Sequence, residues 1–250
     1  MTAQRYVFSV GDLPEDYDVG EKASLLYKLK KNGIEIPETL VILDKAYHHF
    51  VRHNNLDKRV KHILGALDLQ NIGHMNRAYD YISKYLYESK IPEELLKEII
   101  KEYKKLGVSL EDAKIKIYFS NFNHPSQIVK GDSSLVHEIQ DRWRSIYSLF
   151  SPKGNPTIII QRETRGKHGH IRTATKQIKA TDVLNKGEIQ KLEELVDRTK
   201  KIFYFPQEIE FSIEKGKLLV LSVRPETHAA KEKLNPIDIG YKIIKNSHIF

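Results

Sequence analysis

The sequence predicts an α+β protein, and three observations carry that expectation. Short β-branched or alternating segments, "TLVIL", "AKIKIYFS" and "TIIIQ", read as strands. Longer stretches such as "IPEELLKEIIKEYKKLG" and "SSLVHEIQDRWRSIYSLF" repeat apolar residues at helical spacing. The segment "QEIEFSIEKGKLLVLSVRP" reads as two alternating strands joined at Lys215-Gly216, a hairpin signal. The expected arrangement is an N-terminal α/β lobe over residues 1–150 with a helical middle at about 56–107, a smaller C-terminal α+β lobe over 151–227, and a tail over 228–250. The two lobes are expected to pack as one unit with a cleft between them.

In chain order, Arg5 to Val10 is β-branched and aromatic and reads as a short strand, followed by the acidic turn "GDLPEDYD". A helix after Gly20 places Ala23, Leu26, Leu29 and Lys30 near one face, and Asn32-Gly33 stops it. Pro37 precedes the strand "TLVIL", and Asp44 is placed to cap a helix running through Phe50 and Val51. From Leu56 to Gly107 the period is helical, giving two or three packed helices. The last begins with Pro92, Glu93 and Glu94, which suit a first turn, and ends at Gly107. Tyr79, Tyr81, Tyr85 and Tyr87 fall on several faces of one helix, and packing is the expected use of such rings. The helix from Ser133 to Phe150 carries Leu135, Ile139, Trp143, Ile146 and Phe150 as its apolar stripe, and "SPKGNP" is a turn. "NKGEIQKLEELVDRTKKIF" supplies a further helix through Ile189, Leu192, Leu195, Val196 and Ile202. No internal repeat or low-complexity segment interrupts the chain.

At 250 residues and 29.1 kDa the chain can bury a sizeable core, so its size permits an enzyme. No apolar run reaches bilayer-crossing length. The start "MTAQRYVFSVGDLPEDYD" has no basic segment followed by an apolar one, so a cytoplasmic location is expected. Cysteine is absent, which excludes disulfides, thiolate metal sites and a cysteine nucleophile. The net charge of +8 favours anionic partners without choosing among nucleotides, nucleic acid and acidic proteins.

A P-loop needs a longer glycine-bounded loop ending in Gly-Lys-Ser/Thr, so that successive amides cradle phosphates, and the chain has none. "VGEKAS" offers Gly20, Glu21 and Lys22 at a helix start. Taken alone, that lysine is better explained by capping and solubility than by phosphate binding. The C-terminal hairpin puts Glu208 and Glu210 two apart on one strand face while Arg224 ends the partner strand. Such a set could hold magnesium and a phosphate, or form a structural ion pair across the strands.

From "VGEKASLLYKLKKNGIEIPETLVILDKAYHHFV" the chain resembles the N-terminal ATP-binding domain of the phosphoenolpyruvate synthase and pyruvate phosphate dikinase family. The similarity continues in order through "IPEELLKEIIKEYKKLG", "DSSLVHEIQDRWRSIYSLF", "TIIIQRE" and "PQEIEFSIEKGKLLVLSVRPET", spanning roughly residues 7 to 227. The resemblance implies an ATP-grasp-like fold that binds ATP and Mg2+ and transfers phosphate to an acceptor, in that family a histidine on a separate swivelling domain. It places Lys22 and Arg224 on phosphates as catalytic residues, Gln161 and Arg162 beside the adenine, and Glu210 on magnesium.

Several departures stand beside the matches. Tyr118 occupies the place of the family's phosphate-contacting arginine in "Val-Arg-Ser-Ser", and Ser222 that of the glutamine before "x-Arg-Pro". The block after "TIIIQRE" is shortened to "TRGKHGHIRTATKQIKATDVL", and the histidine-carrying domain and pyruvate barrel are expected to be absent. A kinase-type ATP-binding domain is therefore expected to act on another polypeptide, such as a separate phosphohistidine-domain protein. The alternative is a catalytically degenerate relative that serves as a binding or regulatory subunit. A third reading, a basic nucleic-acid-binding module, rests on the stretch Arg162, Arg165, Lys167, His168, His170, Arg172 and Lys176, expected as a flexible basic loop.

Overall fold

The structure is a computed structural model describing residues 4–14, 16–66, 68, 70–107, 111–121, 125–148 and 156–226. It has two compact units, Met1–Arg165 and Gly166–Phe250, and the α+β class holds in each. The expected lobe boundary at residue 150 falls ahead of a strand that lies inside the first sheet. The proposed tail and Phe150 lie outside the described residues.

The first unit is built on five antiparallel strands: β1 (Val7–Ser9), β2 (Thr39–Ile42), β3 (Lys114–Phe119), β4 (Gln127–Lys130) and β5 (Ile158–Arg162). Their order is β1-β2-β5-β3-β4. Among the described residues six α-helices accompany them: α1 (Glu21–Lys31), α2 (Asp44–His53), α3 (Leu56–Gly65), α4 (Ile72–Glu88), α5 (Glu93–Lys104) and α6 (Asp132–Ser148). Period-two alternation sends Leu40, Ile42, Ile115, Ile117, Phe119, Ile158 and Ile160 into one core with Phe50, Leu95, Tyr103, Leu135, Ile139, Trp143 and Ile146. Val41, Ile159 and Gln161 point to the opposite face, so β5 is buried on both sides, as its unbroken isoleucine run requires.

Several local expectations are corrected. Asp44 is the first helical residue of α2 and not its cap, which falls at Leu43. The tyrosines of α4 do not serve packing as a group: Tyr79, Tyr81 and Tyr87 are exposed, while the buried stripe is Ala78, Ile82 and Leu86. The helix places its rings where the i, i+4 stripe of smaller apolar residues leaves them, on the outer faces. β4 lies in a segment with no apolar alternation. It is held by backbone pairing to β3.

The second unit has a four-stranded antiparallel sheet of β6 (Lys167–Arg172), β7 (Ile178–Ala180), β8 (Gln207–Glu214) and β9 (Lys217–Pro225), in the order β7-β6-β8-β9. Helix α7 (Lys186–Ile202) buries Leu192, Leu195 and Val196, while Ile189 remains exposed. Ile171, Ile209, Phe211, Ile213 and Val223 are buried on one face of the sheet. Asn185 and Glu188 close a reciprocal capping box at the start of α7.

The basic stretch read as a flexible loop is instead β6, its turn and β7. Its side chains carry almost no apolar signal, and the strand forms because β8 and β7 pair with it on either side. Gly169 is required there: a Cβ would lie 2.6 Å from the Lys179 carbonyl and 2.6 Å from the Phe211 ring. Among the described residues no helix is long and apolar enough to cross a membrane.

Candidate functional site

In the first unit, Lys22 sits in the opening turn of α1, whose cap is Gly20 at φ 77° and ψ 168°, a region essentially reserved for glycine. The end of β3 supplies the helix with acceptors. Asn121 Oδ1 accepts from the Glu21 amide at 2.7 Å, the Ser120 carbonyl from the Lys22 amide at 3.4 Å, and Ser120 Oγ from the Ala23 amide at 3.1 Å. The free amides that make a helix start an anion site are thus already occupied by the chain itself. Lys22 is half-buried, and its Nζ donates to the Phe119 carbonyl at 3.4 Å. Burial pushes its ammonium below the usual lysine range, and neighbouring Glu21 partly restores it. The residue is not a freely solvated surface lysine.

Gln161 and Arg162 are neighbours on β5 and therefore point to opposite faces of the sheet. Gln161 is buried, and its Nε2 lies 3.4 Å from Thr39 Oγ1. Arg162 pairs with Glu38, Nε to Oε2 at 3.0 Å. Tyr118, which the resemblance sets at the family's arginine position, lies beside Ile159 in the β3–β5 ladder and is half-buried.

In the second unit, strand register collects the predicted C-terminal residues on the sheet face turned away from Ile209, Phe211 and Val223. One rung across β6, β8 and β9 is Arg172, Glu208 and Arg224. The next is His170, Glu210 and Ser222, with Lys179 of β7 beside His170. Arg224 donates through Nε at 3.0 Å and Nη2 at 2.8 Å to a single oxygen of Glu208. The Ser222 hydroxyl donates to Glu210 Oε2 at 3.0 Å. The Arg224–Glu208 pair is the structural ion pair that the hairpin reading gave as its alternative, and Glu208 and Glu210 share one strand face as that reading expects. Leu221 is the extra residue of an irregularity in β9, where Phe211 faces Val220 while Glu210 faces Ser222.

Sequence reasoning missed three contributors. Ser120 and Asn121 cap α1 from about a hundred residues away, which no local pattern discloses. Lys179 joins the polar face through β7. The signal that could have found that face is the period-two spacing of His168, His170 and Arg172, hidden by glycine and by the scarcity of apolar partners.

An α+β chain with carboxylates and a guanidinium on adjoining strands is in keeping with an ATP-binding domain, and that is the class the sequence matches. Residues 17–119 and 127–242 fit the model of the pyruvate phosphate dikinase, AMP/ATP-binding domain. The chain belongs to this family, and with it to the ATP-grasp-like class that the resemblance implies.

A probable phosphoenolpyruvate synthase of Methanocaldococcus jannaschii is 25% identical over 167 residues, 61% of this chain and 14% of that protein. The phosphoenolpyruvate synthase of Aeropyrum pernix is 24% identical over 161 residues, 58% of this chain and 20% of that protein. The matched part is thus between a seventh and a fifth of these curated relatives' length. Among solved structures, a D-alanine–D-alanine ligase from Bacillus anthracis has a TM-score of 0.45 at 10% identity, covering 90% of this chain and 62% of that one. A RimK domain protein ATP-grasp from Sphaerobacter thermophilus has a TM-score of 0.44 at 10% identity, covering 84% and 61%.

The donor set of the polar face can be tested against magnesium. Among the described residues no group of three or more His, Cys, Asp or Glu is gathered as a protein-only metal cage. Magnesium is usually held by one or two carboxylates, with water and substrate phosphates completing its shell. Glu208 and Glu210, two oxygen donors on one strand face, fit that pattern.

Proposed function

We propose that this chain binds ATP with magnesium and works as a kinase-type domain, transferring a phosphoryl group to an acceptor on another polypeptide, such as a phosphohistidine-domain protein. One observation supports this most: Glu208, Glu210, Ser222 and Arg224 share one face of the second sheet, although they lie on two strands. In this reading Lys22 and Arg224 bind the phosphates, the strand that carries Gln161 and Arg162 borders the base, and Glu210 would hold magnesium with Glu208 beside it. Bound magnesium would offset negative charge on the phosphates. Arg224 supplies a fixed guanidinium already oriented by Glu208, and Lys22 an ammonium whose burial limits its hydration. A cytoplasmic setting accords with this chemistry.

A second reading, a binding subunit that holds nucleotide without transferring phosphate, is favoured by Tyr118, which brings no fixed charge where the family has arginine, and by Ser222, whose hydroxyl is spent on Glu210. The test is thermal unfolding with ATP, with and without magnesium, on the wild type, Lys22→Ala and Glu210→Ala. A magnesium-dependent rise lost in both variants is expected. No rise in the wild type at millimolar ATP refutes nucleotide binding. A rise without phosphorylation of any histidine-domain partner selects the second reading.

A further inference from the structure

We propose that Arg172 and Lys179, together with Arg224, form an oxyanion pocket on the polar face of the second sheet that takes a phosphate group. It rests on the proposed function in assigning that group to the bound nucleotide. The resemblance gives no role to Arg172 or Lys179, which lie in the shortened block.

The pocket has a cavity of about 140 Å³ lined by His170, Arg172, Gln177, Lys179, Glu208 and Arg224. That is room for about ten waters, enough to admit a phosphate group. The strands fix its walls. Arg172 stands opposite Glu208, which stands opposite Arg224; on the other side the Arg172 amide donates to the Gln177 carbonyl at 3.0 Å, closing β6 onto β7. The one carboxylate in the lining is committed to Arg224 through two short bonds. The half-buried guanidinium of Arg172 and the ammonium of Lys179 make no side-chain hydrogen bond or ion pair with the described residues. Two positive charges therefore line the cavity with no bonded carboxylate of their own, and a planar guanidinium beside an ammonium suits a multi-oxygen anion. The turn between β6 and β7 brings them together.

The test is titration calorimetry of the full chain with magnesium ATP, tripolyphosphate and inorganic phosphate, using the wild type, Arg172→Gln, Lys179→Gln and Arg172→Lys. Unfolding curves of each variant establish that it is folded. ATP and tripolyphosphate affinities are expected to fall about tenfold or more in each glutamine variant, as loss of a charge-assisted contact implies, and to recover in part in Arg172→Lys. Inorganic phosphate should compete with ATP. Wild-type ATP binding that both glutamine variants retain would overturn the pocket while leaving the proposed function standing. Phosphate and tripolyphosphate binding that the variants weaken, in a protein that binds no ATP, would keep the pocket and overturn the nucleotide function. Phosphate binding that the variants weaken but ATP does not displace would assign the pocket to free phosphate and refute its assignment to the nucleotide. Binding of none of the three refutes both.

Discussion

At the scale of single residues, Gly20 and Lys22 separate structure from function. A Cβ at Gly20 would lie 2.5 Å from Asn121 Oδ1 and 2.6 Å from Ser120 Oγ, on backbone at φ +77°. Gly20→Ala should therefore cost about 2–3 kcal/mol, read by urea unfolding. Lys22 behaves in the opposite way. Its ammonium is held below the usual range by burial, so the unfolded chain binds that proton more tightly than the folded one. The charged residue thus costs stability below its folded pKa, and the cost fades as pH rises towards the unfolded value. Lys22→Met should leave the melting temperature at pH 7 unchanged or higher, and should flatten the gain in stability towards alkaline pH. Under the proposed function it should also abolish ATP binding. A clear loss of stability in that variant would mean that the lysine serves the fold. The sequence shows the Gly-x-Lys but not this distinction, because the partners at Phe119, Ser120 and Asn121 meet the helix only in the folded chain.

At the scale of elements, two helices carry testable electrostatics. Arg142 of α6 is fully buried over the Phe119 ring, pairs with Glu138 at 2.6 Å and donates to the Pro125 carbonyl at 3.0 Å. Burial lowers its guanidinium pKa, and Glu138 works against that shift. Glu138→Ala should cost about 3 kcal/mol by leaving a buried charge unpaired, whereas Arg142→Met should cost far less, a contrast that chemical denaturation can read. At α7, the Asn185 amide and then Lys167 hold the Glu188 carboxyl below its usual range. A carboxyl so depressed adds stability above its unfolded pKa, and that contribution is lost as pH falls through the folded value. Asn185→Ala should cost about 1 kcal/mol by removing the cap on the Glu188 amide while its backbone amide still holds the carboxyl, whereas Glu188→Gln should weaken the acid dependence, measured by unfolding at pH 7 and pH 4. Elements such as α5, α6, α7, β8 and β9 are legible because burial of one face imposes a periodicity, and β2 and β5 because burial on both faces imposes an unbroken apolar run. β4, β6 and β7 are not, since backbone pairing holds them and their side chains are mostly polar. The same physics hid the site: Glu208, Glu210 and Arg224 could be placed from their spacing, while Arg172 and Lys179 required a strand order that no local window contains.

For the molecule as a whole, saturating nucleotide is the broadest probe. Magnesium ATP at about a hundred times its dissociation constant would stabilise a binding-competent chain by about 2.7 kcal/mol. For a chain of this length that corresponds to a rise of about 5–10 °C in melting temperature, readable by calorimetry. The start of α1 has a further bearing on how the chain is made. The helix has no side-chain cap of its own, and the Asn121 oxygen that closes its first amide is 100 residues downstream. A ribosome adding about 5–20 residues per second delivers that oxygen about 5–20 s after the helix itself. Until then the nascent α1 frays at its first turn, and Lys22 has no fixed address.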